Sequence, residues 1–149
     1  LNRRKNMSKQ QDAEERAFGY HDNGYHCAEA VSKAIMEFYC HRQTPEIPQA
    51  ATAFGGGVGK THEEMCGALS GGLLALGLVL GRSQPGASWD EIADLAAKLR
   101  ERFIAEFGSS TCAAILEAFG EQTNLMKCKK LSGKTAAMTA EILESRSQV

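Results

Sequence analysis

Apolar positions recur at spacings of three and four along most of the 149-residue chain, as in Cys27, Val31, Ala34 and Phe38, or Cys66, Leu69, Leu73, Leu76 and Leu80. That spacing lines one face of an α-helix. Runs of Val, Ile and Thr alternating at a spacing of two, which mark half-buried strands, are missing. Punctuation residues divide the pattern. Ser8 caps a helix expected over 9–21, and Asp22-Asn23-Gly24 breaks the chain before a second over 26–41. Pro45 and Pro48 lead into a short helical turn over 48–54. A charge-free stretch over 65–81 forms most of a helix expected over 63–80 and closed by Gly81. Ser88 and Glu91 form a capping box for a helix that ends at Phe107 and Gly108, with Trp89 packed as an anchor at its start. Ser109 or Ser110 caps another, to Phe119, and a polar loop over 120–131 precedes a last helix over 133–145. The expected fold is all-α: one helical bundle of six to seven helices. Residues 1–16 form a polar extension running into the first helix, and 17–149 form the single domain.

Composition then narrows the function. Seventeen Lys+Arg against eighteen Asp+Glu give a net charge of -1, which argues against a nucleic-acid binder and against an acidic disordered tail. Five cysteines are too few for a disulfide-stapled scaffold, and the number is odd. The reducing cytoplasm is the expected compartment. No apolar run follows Arg3, Arg4 and Lys5, so no leader is expected, and Met7 is an alternative start to Leu1. The apolar stretch over 65–81 is short for a membrane span and holds five glycines, so it reads as a buried core helix. Its Gly67-x-x-x-Gly71 and Gly77-x-x-x-Gly81 pairs suit close helix packing, and its exposed faces are compatible with a homodimer.

The cysteines carry the most information through their helical positions. Cys27, Cys66 and Cys112 each open an expected helix and fall on its apolar stripe. Unpaired N–H groups and the positive dipole end are expected to stabilise a thiolate there and lower its pKa. Cys128 falls in the expected loop among Lys127, Lys129 and Lys130, so it too has an electropositive setting. Cys40 lies thirteen residues after Cys27, about 220° around the helix at ~100° per residue and near a C-terminus, so it reads as a bystander. Any one of the four, alone, could be a small core hydrophobe. Three in first turns together suggest helix N-termini converging on one place.

Four converging thiols leave three chemistries open. The intervals of 38, 45 and 15 residues lack the close pairs of common zinc sites, although a zinc-binding interaction module with four cysteine ligands remains an alternative. They also lack sequential iron–sulfur spacing, but a cluster can draw thiolates from four segments. In the third, two thiols cycle through a disulfide, with Cys66 and Cys27 as the reacting pair. No C-x-x-C-H run occurs, so covalent haem is not expected. Gly55-Gly56-Gly57-Val58-Gly59-Lys60-Thr61 looks like a phosphate loop, but Phe54 stands where the motif needs Gly and no strand is expected before it. No nucleotide is therefore expected; the glycine run is flexible-looking and is expected to pack closely against the cysteine site. His26 and His62 adjoin the cysteines and read as surface or capping residues, with a ligand or proton-donor role in reserve.

The run Cys66-Gly67-Ala68-Leu69-Ser70-Gly71 resembles the C-G-A-x-x-G signature of the C_GCAxxG_C_C family, proteins regarded as redox-active. Cys27, Cys66, Cys112 and Cys128 follow the family's order, and Phe54 to Gly59 is similar to its glycine loop. The resemblance spans about residues 17–140 and gives Cys40 no place. A related domain in split-Soret cytochromes is associated with an iron–sulfur centre beside haem, so the resemblance implies a cluster here without the haem. The leading expectation is electron transfer through a two-iron cluster on Cys27, Cys66, Cys112 and Cys128. Gly55, Gly56, Gly57, Gly67 and Gly71 support the site, and the redox partner is another protein.

Overall fold

The structure is a computed structural model that describes residues 7–40 and 46–146. Among these residues it has seven helices: α1 (Lys9–Asp22), α2 (Cys27–Tyr39), α3 (Glu46–Thr52), α4 (Gly67–Leu80), α5 (Asp90–Phe107), α6 (Cys112–Phe119) and α7 (Met126–Arg146). Strands are replaced by one isolated antiparallel bridge, Met65 to Thr111. The all-α expectation holds.

Local chemistry accounts for most boundaries. Ser8 and Gln11 form a reciprocal capping box at the start of α1, with bonds of 3.1 and 3.2 Å. Gly108 ends α5 with φ 83°, a left-handed turn that glycine makes without strain. Two boundaries differ most from expectation. α4 begins at Gly67 rather than 63, because Lys60 and His62 have positive φ and Met65 is paired with Thr111. α7 begins at Met126 and absorbs the end of the expected polar loop. The helix expected over 26–41 ends at Tyr39 with Cys40 as its cap; His41 and Pro45 lie outside the described residues. Trp89 occupies the N-cap of α5 but is 59% exposed, so it does not anchor the helix start.

The two main helix pairings are α1 with α7 and α2 with α4. Both need backbones close together. A methyl at Gly71 would collide with the Ala28 carbonyl of α2, and one at Gly133 would lie 3.0 Å from the Glu14 carbonyl of α1. Phe103, Leu99, Ile35, Leu69, Leu76 and Ile142 are fully buried between the layers. Thr135 and Thr139 are buried in α7 without leaving a hydroxyl unpaired, since each donates to the carbonyl four residues back at 2.8 Å. Among the described residues no helix is long and apolar enough to cross a membrane.

Candidate redox site at four helix N-termini

The first turns of α2, α4, α6 and α7 meet around one cavity of about 620 Å³. Cys27 is the first residue of α2, Cys66 the N-cap of α4, and Cys112 the first residue of α6. Cys128, expected in a loop, is the third residue of α7. All four thiols line the cavity. Cys40, at the opposite end of α2, does not. Among the described residues no three His, Cys, Asp or Glu side chains draw together tightly enough to hold a single metal ion.

Glycines make room for the sulfurs. A methyl at Gly67 would collide with Cys27 Sγ and approach the Phe54 carbonyl to 3.0 Å, so the chain passes Cys27 only without a side chain there. At Gly57 a Cβ would stand 2.6 Å from Cys112 Cβ. Gly55 lies against the His26 side chain. The glycine run is ordered rather than loose. Residues 56–60 all have φ near +60°, and their backbone is pinned by Lys60 N–H to Gly55 O at 3.2 Å and His62 N–H to Gly56 O at 2.9 Å. Val58 and Lys60 share that left-handed conformation, which disfavours side chains with a Cβ. The segment before the run is helix α3, not the strand of a phosphate loop.

Backbone pairing fixes the next two sulfurs. Cys66 N–H donates to Ser110 O at 2.8 Å and Cys112 N–H to Glu64 O at 2.9 Å, either side of the Met65 to Thr111 bridge. His62 Nδ1 lies 3.4 Å from Cys112 Sγ, which gives this histidine a direct contact with the site. His26 is the N-cap of α2 and its N–H donates to the Glu29 carboxylate.

Burial, not the helix dipole, decides the acidity of three of the cavity thiols. Cys66 is pushed up to about 12 by burial and by neighbouring Cys27, against the backbone N–H groups of Ala68 and Leu69. Burial also raises Cys112 and Cys128, with Cys27 adding to both. For Cys66, Cys112 and Cys128 the expectation of lowered pKa values is therefore overturned: removing a thiolate from water costs more than a first turn returns. Two of the three lysines around Cys128 also act elsewhere. Lys127 Nζ donates to Phe119 O at the end of α6, and Lys129 is buried against Asp22 at 3.0 Å.

Two groups at the site were not singled out from the sequence. Gln122 bonds to both the backbone and the sulfur of Cys128, at 3.1 Å each. His21 lines the cavity, pairs with Ser132 Oγ at 2.9 Å, and is lowered to about 4 by burial, then by Lys129 and His26, with Asp22 opposing. Neither has a tell-tale spacing: Gln122 reaches Cys128 through the local turn that opens α7, and only the tertiary fold brings His21 to the cavity.

Residues 25–142 match the family described as "Putative redox-active protein (C_GCAxxG_C_C)". The chain belongs to this family. The match takes in all four cavity cysteines and the glycine run of this C_GCAxxG_C_C protein. No curated protein and no solved structure matches the chain.

Proposed function

We propose that Cys27, Cys66, Cys112 and Cys128 hold an iron–sulfur cluster of the two-iron type, through which this family member passes electrons to and from a protein partner. The observation that supports this most is the gathering of four thiols, from four separate helix starts, around one cavity. Four thiols are a complete ligand set for such a cluster, which can draw them from four separate segments. The seats at Gly67 and Gly57 hold the Cys27 and Cys112 side chains where any other residue would displace them.

When bound, such a cluster supplies a one-electron carrier. The chain supplies the setting. Four helix starts set their positive dipole ends around the site, opposing the negative charge of bound thiolates. Ile115, Leu116 and Leu131 give the cavity an apolar wall. Raised thiol pKa values mean that loading must release protons, so metal uptake strengthens as pH rises. A second reading has one specific support: Cys27 Sγ abuts Gly67, the residue after Cys66, which favours these two thiols as the pair for a disulfide cycle. In that cycle the two thiols lose two electrons and two protons to an oxidised partner, and an S–S bond forms.

Anaerobic purification with visible absorption and iron, sulfide and zinc analysis tests both readings. A brown protein with equal iron and sulfide is expected. A colourless, metal-free protein that loses two titratable thiols on oxidation would replace the cluster with the disulfide, and zinc alone would remove redox function.

A further inference from the structure

Gln122 holds Cys128 by two bonds of opposite sense. Cys128 N–H, in the first turn of α7 where no intrahelical acceptor exists, donates to Gln122 Oε1 at 3.1 Å. A backbone N–H can only donate, so the oxygen of the amide must face it. The amide NH2 is thereby turned toward the sulfur, and Gln122 Nε2 donates to Cys128 Sγ at 3.1 Å. The helix cap thus sets which end of the side chain meets the sulfur. Cys128 differs here from Cys112, whose neighbour His62 can donate or accept according to its tautomer.

From this geometry we infer that Gln122 is the positioning residue of the redox site: it fixes the direction of the Cys128 sulfur and withdraws electron density from it through an N–H···S bond. The inference rests on the cluster reading for its effect on potential, and on Cys128 alone for its effect on the thiol. A donor on sulfur stabilises the electron-richer state, so it favours thiolate over thiol in the metal-free protein and the reduced state in the loaded one.

Two variants separate this role from simple capping. Gln122→Glu keeps an oxygen for the Cys128 N–H and loses the donor to sulfur; Gln122→Met loses both without adding charge. The first measurement is alkylation of the metal-free protein by iodoacetamide, followed at each cysteine by mass spectrometry. Both variants are expected to slow Cys128 by about threefold to tenfold at fixed pH, leaving Cys27, Cys66 and Cys112 unchanged. The second is the midpoint potential of the iron-loaded protein, expected to fall in both variants. A purely structural cap predicts instead that Gln122→Met, which adds no charge, loosens α7 and quickens Cys128 alkylation; the added carboxylate of Gln122→Glu slows it under either account, so Gln122→Met decides between them. Parental Cys128 alkylation in both variants, or equal changes at all four cysteines, overturns the inference. Failure of the parent to take up iron overturns the cluster reading, and the alkylation rates still decide the role of Gln122.

Discussion

The two walls of the cysteine cavity are built differently. Cys27 and Cys66 belong to α2 and α4, a closely packed helix pair, and the seat between them is cut by the missing side chain of Gly67. Cys112 and Cys128 belong to α6 and the start of α7. α6 has the sparsest packing on other helices among the described elements, and both sulfurs are met by polar side chains, His62 and Gln122. Steric seats are all-or-none: an added atom either fits or does not. Hydrogen bonds are graded, so although Gly57 also seats Cys112 sterically, the second wall is where His62 and Gln122 let the sulfurs be adjusted without unmaking the fold.

The largest effect should come from closing a steric seat. Gly67→Ala puts a methyl on Cys27 Sγ and near the Phe54 carbonyl, neither of which can give way cheaply. Overpacking of this kind costs about 1–3 kcal/mol and more where backbone is struck, so a large fall in the urea midpoint is expected. Gly77→Ala in the same helix meets nothing within 4 Å, and there alanine should stabilise by up to about 1 kcal/mol. If the two substitutions moved the midpoint alike, the steric account of the first wall would fail.

Acid should act on the second wall. His21 joins α1 to Ser132 of α7, and its pKa falls from 6.5 to about 4 on folding. Between those values the unfolded chain binds the extra proton. Stability is therefore fully present above pH 6.5 and declines toward pH 4, by about 2 kcal/mol. Thermal melting of metal-free protein at pH 7 and pH 4.5 measures this, and His21→Gln should flatten the dependence. An equally steep decline in that variant would place the acid sensitivity elsewhere. The smallest effect is expected from Cys40→Ser, at the far end of α2: unchanged iron content and unchanged redox titration. Loss of either would mean that Cys40 belongs with the other four.

The sequence disclosed the helices and the grouping of the cysteines better than it disclosed their environment. Ser8, Gly108 and the three- and four-residue spacings are local signals, and α1, α2 and α5 end within a few residues of where those signals put them. The start of α7 was hidden because Lys127, Lys129 and Lys130 look like a solvated loop, whereas Lys129 is buried on Asp22 from another helix. The raised pKa values of Cys66, Cys112 and Cys128 are not legible in the sequence, because dipole and charge can be read along a chain, while burial is set by which helices close over the sulfur. Glycine at 55–57 and 67 was legible as close packing. That the partners are Cys112 Cβ and Cys27 Sγ was not.

The lone Met65 to Thr111 bridge carries a consequence for engineering. Each of its two residues immediately precedes a cavity cysteine, so one rung of backbone pairing sets Cys66 and Cys112 in mutual register. The exposed turn over 81–89 and helix α5 lie between the two segments, yet they take no part in that alignment. Extra residues spliced into this turn should leave the two sulfurs where they are, while a single residue inserted directly after Met65 or Thr111 should rotate one sulfur away from the cavity.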